Sequence, residues 1–275
     1  MTNAADWSGA VGDAWAQEWP RTDRMFADLA TRLDAAILDV APATGRALDI
    51  GCGAGTTSLA LAAGRPTLAV TGIDVSPDLV AVAQTRAAAV PSCSFHAADL
   101  DFDAPFADPG SIDLFVSRHG VMFFADPAAT FARLHAAARP GAPLVFSCFR
   151  AASANPWAST LILEVTGTAP TDATGYAPGP FGFADPATPA AFLTAAGWRL
   201  DEPEAIDFTY VAGDGAHALS EAVALLRRIG PIAGAIRTAD DPHAMVDRLA
   251  TVLQRYRTGD LIAFPAAAWL WRATA

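Results

Sequence analysis

The sequence predicts an open α/β fold, a mostly parallel sheet with helices on both faces. Three observations carry this reading. Short apolar runs alternate with helical stretches between residues 45 and 150, the pattern of a parallel sheet with crossover helices. The first apolar run ends in a cluster of glycines that opens a helix. Finally, Ser76-Pro77, Asp126-Pro127, Asp185-Pro186 and Asp241-Pro242 each set a capping side chain before a proline at the first helical position, a helix-start signal.

The elements follow in order. Residues 24–41 read as a helix, with Phe26, Leu29, Leu33, Ile37 and Val40 on one face. After Pro42 and Gly45 the period changes, and Ala47-Leu48-Asp49-Ile50 forms a first strand ending in Gly51-Cys52-Gly53-Ala54-Gly55. A helix from about Thr56 to Ala63, a strand from Leu68 to Ile73 and a helix from Pro77 to Ala89 come next. A short strand at Ser94–His96 leads into Asp99; Ile112–Ser117 is a strand, Pro127–Ala138 a helix and Leu144–Phe149 a strand. Residues 151–183 are richer in Gly and Pro, with a helix at 157–166 followed by a loop of the functional or mobile kind. Pro189–Ala196 is a helix, 198–211 a strand region broken near Pro203, and 216–229 and 243–257 are helices. Ala267–Ala273 is the last strand.

Composition narrows the chemistry. The chain has 275 residues, 52% hydrophobic and 17% charged, which supports a full core. All 18 basic residues are Arg, against 29 acids, for a net charge of −11. Without lysine, Schiff-base chemistry and a Walker-A phosphate site are excluded. The acidic balance argues against nucleic-acid binding, whose affinity is mainly electrostatic. Cys52, Cys93 and Cys148 are dispersed, without metal-ligand spacing, and point to a reduced, cytoplasmic setting. No signal peptide, membrane span or metal site is expected. A homodimer is compatible with the sequence, which leaves oligomeric state open.

The glycine turn lets backbone approach a ligand closely, and the helix it opens favours a negative group. A dinucleotide fingerprint requires Gly at position 56, where this chain has Thr56. The second strand ends in Asp74, placed to accept from ribose hydroxyls. The third leads to Asp99-Leu100, where a carboxylate can accept from an adenine amine. Asp49, Asp74 and Asp99 thus share one sheet edge, an arrangement suited to a positively charged cofactor.

Leu48-Asp49-Ile50-Gly51-Cys52-Gly53-Ala54-Gly55, Gly72-Ile73-Asp74-Val75-Ser76 and Ala97-Ala98-Asp99-Leu100 resemble motifs I to III of class I S-adenosylmethionine (SAM)-dependent methyltransferases. Ile112–Ser117 resembles their fourth-strand motif. Arg139-Pro140-Gly141-Ala142 resembles the turn before their fifth strand, with Ala142 replacing a glycine. Phe181-Gly182-Phe183-Ala184-Asp185-Pro186 is similar to a segment of the ubiquinone/menaquinone-type small-molecule branch. The resemblance implies a Rossmann-like sheet of seven strands with the last antiparallel. It divides the single domain into an N-terminal helical lid segment (1–45), a SAM-binding core (46–150) and a completion of the sheet with substrate-covering loop and helices (151–275). It implies Gly51, Gly53 and Gly55, with Asp49 and Cys52 beside them, near the methionine moiety. Asp74 and Val75 then lie at the ribose, and Asp99 and Leu100 at the adenine.

Methyl transfer needs in-line positioning and exclusion of water. Oxygen or carbon acceptors often also need a proton removed. His119, in the loop after the fourth strand, is the candidate base, against the plainer reading of a packed or capping histidine. Ser117 lines the cofactor through its backbone. Arg118 pairs either with a substrate acid or, preferably, with a nearby Asp. Trp15 and Trp19 fall on one helical face, and their segment with Trp7 is either a lid, with Trp15 on the cofactor, or plain packing. Met122, Trp157 and Phe181 are candidates for an apolar acceptor pocket. The acceptor is expected to be a small molecule, with O- or C-methylation favoured. The alternatives are a non-methylating SAM-binding enzyme of cyclase or pericyclase type, an NAD-dependent oxidoreductase and a nucleic-acid methyltransferase.

Overall fold

Strands covered by helices on both faces must be apolar throughout, and Leu114, Phe115, Val116 and Leu144 have no exposed surface. The computed structural model describes residues 4–103, 107–170 and 175–275. Its strands are β1 (Gly45–Ile50), β2 (Leu68–Asp74), β3 (Cys93–Ala97), β4 (Leu114–Arg118), β5 (Pro143–Phe149), β6 (Arg199–Leu200), β7 (Glu204–Asp214), β8 (Arg257–Thr258) and β9 (Leu261–Thr274). The helices are α1 (Ala4–Trp7), α2 (Ala10–Gln17), α3 (Trp19–Met25), α4 (Ala27–Val40), α5 (Thr56–Gly64), α6 (Pro77–Arg86), α7 (Pro127–Ala137), α8 (Thr160–Thr166), α9 (Ala187–Ala195), α10 (Ala218–Leu226), α11 (Pro231–Arg237) and α12 (Pro242–Leu253).

The sheet runs β3-β2-β1-β4-β5-β9, with β6 and β7 in line along the far edge of β9. β3 to β5 are parallel, and β9 is antiparallel to β5. Strand order reverses between β1 and β4, so the carboxyl ends of those two strands open a crevice at a topological switch point.

Among the described residues the sheet has nine strand segments, which corrects the expected seven. One addition is the split of the penultimate strand. Leu200 faces Ala273 and Glu204 faces Leu270, so the β6–β7 side carries one extra residue, and Pro203 within it has no N–H to donate. The other is β8, a two-residue arm paired with the start of β9. Seven sheet positions are still filled by the longer strands.

Ser76, Asp126 and Asp241 accept from backbone N–H groups of Leu79, Ala129 and Ala244, as the capping pattern requires. Asp185 accepts from Ala187 N instead, and its helix begins one residue later. The long helix expected at 24–41 is two: the chain turns at Phe26, between α3 and α4. Trp15 and Trp19 stand on separate helices rather than on one helical face, because α2 ends and α3 begins at Glu18. Helix α11 was not expected; its signal is Gly230-Pro231, a proline at the first helical position. Residues 171–174 of the Gly/Pro-rich loop, and 1–3 of the N-terminal segment, lie outside the described residues. Among the described residues no helix is long and apolar enough to cross a membrane.

Candidate active site

The first wall of the crevice is the turn after β1. Gly51 and Gly53 have φ of +63° and +53°, a region that L side chains rarely adopt. A Cβ on Gly51 would lie 2.8 Å from Gly120 Cα, whereas one on Gly53 would meet nothing within 4 Å. Gly51 is thus required by packing against the loop after β4. Gly53 faces open space and leaves a cradle that a side chain would fill.

Asp74 holds this turn. Its Oδ2 accepts from Gly53 N at 2.8 Å and its Oδ1 from Ser76 N at 2.9 Å. Each carboxylate oxygen has a second lone pair left to offer the crevice. Burial raises its pKa, while the two backbone donors pull it down. Asp49, at the end of β1, accepts from Ser58 Oγ at 2.6 Å through Oδ2; its Oδ1 is buried without a partner. Burial pushes its carboxyl up to about 6, against the opposing pull of Ser58. A buried carboxylate oxygen without a partner is better satisfied by a neighbouring positive charge or donor than left alone.

The loop after β4 closes the floor. Ser117 Oγ donates to Ile50 O at 2.7 Å and accepts from Gly120 N at 3.1 Å, locking this loop to the β1 turn. His119 is the one non-glycine residue with positive φ, +62°, among the described residues. Such a conformation persists only where its surroundings impose it. Here His119 N donates to Ser147 O at 3.1 Å, and its ring stacks on Phe149 with centroids 4.1 Å apart. Nδ1 lies 3.4 Å from Ser147 Oγ, and Nε2 is buried without a partner. Burial, then the neighbouring Arg118 charge, lowers the ring's pKa to about 3, so it is neutral at ordinary pH. Arg118 Nη2 lies 3.7 Å from Asp23, and its Nη1 is buried and unpartnered.

The N-terminal helices cover the crevice. Gly12 of α2 sits so close to Ser76 and the Trp7 carbonyl that a Cβ would collide with both, so α2 docks directly on the β2–α6 turn. Trp7 packs on Trp15 and on Phe123, at 5.4 and 5.2 Å. Asp23 of α3 accepts from Thr56 Oγ1 and from Arg86, at 2.5 and 2.7 Å. Arg86 also donates to Ala54 O at 2.7 Å and lies over the Trp19 ring at 4.1 Å. These contacts clip the N-terminal segment to the glycine turn. Arg24–Glu221 and Arg228–Glu18 tie it to the C-terminal half.

Asp49, Gly51, Cys52, Gly53, Asp74, Val75, Asp99, Leu100, Arg118, His119, Met122, Trp157 and Trp15 all line this one cleft. Gly55, Ser117 and Phe181 stand behind its lining. Gly55 packs against Phe95 and Ala83 at the entry to α5, Ser117 is turned onto the Ile50 carbonyl, and Phe181 backs Trp157 and Phe149. Arg150, just after β5, pairs with Asp207. Sequence reasoning missed Asp23, Phe26, Asp101, Phe149 and Tyr210, which also line the cleft. Only Asp101, two residues beyond Asp99, carried a local signal. The residues present fit a nucleoside-bearing cation. There is an open glycine cradle, an orphaned carboxylate oxygen, and a lining of five aspartates against one arginine. Among the described residues no group of His, Cys, Asp and Glu could hold a metal ion.

Residues 48–146 match the family described as methyltransferase domain. Trans-aconitate 2-methyltransferase of Methylobacterium nodulans is 34% identical over 137 residues, 50% of this chain and 47% of that protein. Malonyl-[acyl-carrier protein] O-methyltransferase of a Paenibacillus species is 32% identical over 104 residues, 37% of this chain and 38% of that protein. The chain thus spans less than half the length of these curated relatives. Among solved structures the cyclase SpnF superposes with a TM-score of 0.53 at 18% identity, covering 88% of this chain and 80% of that one; this likeness concerns the fold alone.

Proposed function

We propose that this chain, whose residues 48–146 match the methyltransferase domain, is a class I, SAM-dependent enzyme that transfers a methyl group to a small-molecule acceptor, at oxygen or carbon. The observation that carries the reading is the acidic, glycine-floored cleft at the carboxyl ends of β1 and β4, inside the matched residues. SAM, when bound, supplies an electrophilic methyl on a cationic sulfur. The acceptor contributes the electron pair of the new bond, the S–C pair stays on sulfur, and the acceptor proton departs.

In this reading Gly51 and Gly53 cradle the methionine moiety, with Asp49 Oδ1 near its positive end. Asp74 accepts from ribose hydroxyls with the lone pairs not used by Gly53 and Ser76. Asp99 and Leu100 hold the adenine, and Trp15 covers the cofactor side. Arg118, Met122 and Trp157 face the acceptor. The N-terminal helices exclude water, which protects the sulfonium and strengthens every charge contact inside. His119 is a weak base in its ground state, because forming an imidazolium there is opposed by burial and by Arg118. Its neutral Nε2 can still accept a proton from an oxygen that becomes strongly acidic as it gains the methyl group. The reaction is assigned to the cytoplasm, in keeping with three free cysteines. Nucleic acid is not the acceptor, in keeping with the net charge of −11.

Calorimetry with SAM and with NAD tests the cofactor, and methyl release from labelled SAM across a panel of phenols, carboxylic acids and quinone precursors tests the reaction. Micromolar SAM binding with methyl release supports the reading. NAD binding in its place overturns it. SAM binding with acceptor turnover but no methyl release favours a non-methylating enzyme on the same fold.

A further inference from the structure

Five aromatic side chains form a packed ring in the cleft wall, with Phe26 and Phe149 also meeting across it at 6.1 Å. His119 stacks on Phe149 at 4.1 Å, Phe149 meets Trp157 at 5.0 Å, and Trp157 lies nearly parallel to Tyr210 at 5.1 Å. Tyr210 meets Phe26 edge-on at 5.9 Å, and Phe26 returns to His119 at 5.4 Å. They come from five places in the chain: the loop after β4, β5, the segment before α8, β7 and the α3–α4 turn. All five line the cleft. Trp157 Nε1 donates to Asn155 Oδ1 at 3.2 Å, and that oxygen also accepts from Ala267 N, so the indole N–H is already satisfied, and its ring is held by stacking on Tyr210 and Phe181. His119 Nε2, 8% exposed as a residue and without a protein partner, is the buried polar atom left open among them. The charged residues of the lining are mostly acidic: Asp23, Asp49, Asp74, Asp99 and Asp101, against Arg118.

We propose that this ring is the acceptor subsite and that it selects a planar, uncharged, hydroxylated ring of phenol type, whose hydroxyl donates to His119 Nε2. The inference rests on the methyltransferase reading for the cofactor side of the cleft. Aromatic faces and edges bind flat apolar rings through offset and edge contacts. A buried acceptor atom left without a partner discriminates strongly for a ligand that supplies the donor. For Nε2 to accept, Nδ1 carries the proton and donates to Ser147 Oγ. A polycarboxylate is disfavoured, since five aspartates and one arginine cannot neutralise it.

The test is calorimetry on the full chain saturated with S-adenosylhomocysteine, using 2-naphthol, naphthalene and citrate as probes. The expected result is that 2-naphthol binds about fivefold tighter than naphthalene, the scale of one net hydrogen bond, and that citrate does not bind. His119→Phe should abolish the difference between the two ring probes, while Trp157→Ala weakens both. Each variant must bind S-adenosylhomocysteine as the parent does, which shows that it is folded. Equal binding of the two ring probes by the parent chain, or binding of citrate alone, overturns the acceptor assignment and leaves the cofactor reading standing. Failure to bind S-adenosylhomocysteine at all overturns the cofactor reading itself.

Discussion

The Gly53 amide is tied to Asp74 Oδ2 at 2.8 Å across 21 residues of chain, so the residue that leaves the cradle open and the carboxylate proposed to hold a ribose are one unit. Asp74→Ala leaves the amides of Gly53 and Ser76 without their acceptor and removes the ribose contact. SAM affinity should fall at least about tenfold, the scale of a charge-assisted hydrogen bond. Calorimetry measures it, and wild-type affinity in the variant refutes the assignment.

Gly51 and Gly53 should respond differently to alanine. Both have positive φ, which costs an L residue about 1–2 kcal/mol. Gly51→Ala also drives a methyl group against the Gly120 backbone, so it should lower the melting temperature more. Gly53→Ala has room in the protein but obstructs the cradle, and should lose SAM affinity out of proportion to its loss of stability. The comparison of melting temperature with SAM Kd for the two variants decides it.

Cofactor affinity should rise with pH. Burial first of all raises the Asp49 carboxyl from 3.8 to about 6, and Asp74 is raised as well. A raised carboxylate pKa gives stability that is fully present below about pH 3.8 and is lost as pH climbs through about 6. A cationic ligand prefers the ionised form, so SAM should bind more tightly at pH 7 than at pH 5, with proton release on binding. Asp49→Asn should flatten this dependence, as followed by calorimetry in buffers of different ionisation enthalpy.

His119 should leave no limb near pH 6.5 in the rate profile. Burial and Arg118 depress its pKa to about 3, so its ring stays neutral across the working range. The same shift contributes stability above pH 6.5 that is lost as pH falls toward 3. His119→Phe should therefore lose less stability than the parent between pH 6.5 and 4.5. A rate limb near 6.5 that vanishes in this variant would contradict the buried, neutral ring.

Asp23 should govern retention of the N-terminal cover. It accepts from Thr56 and Arg86 at once, partly buried, where charged hydrogen bonds contribute about 1.5–3 kcal/mol. Asp23→Ala should speed proteolytic cleavage within α1 to α3 and SAM dissociation, while hydrogen exchange in β1, β4 and β5 stays unchanged. Equal cleavage rates for the two proteins would show that the cover is held elsewhere.

By itself the sequence determined the alternation of strands and helices, the glycine turn, three capped helix starts, and the acids at the ends of the first three strands. Each of these is a local pattern: a period, a cap or a contiguous motif is complete within a few residues. The same locality explains its errors. A hydrophobic stripe runs unbroken through Phe26, where packing turns the chain so that the ring enters the cleft. Trp15 and Trp19 have helical spacing, but the helix stops between them. Only the tertiary structure decided which aromatic side chains gather in the cleft. Phe26, Phe149 and Tyr210 look like ordinary core residues in sequence, and Asp23 like one surface acid among many. What gives them a role is that sheet order brings the loop after β4, the end of β5 and the middle of β7 to one place, and that α3 folds across it. That convergence depends on side-chain packing between residues more than 180 positions apart, for which no local pattern in the chain provides a record.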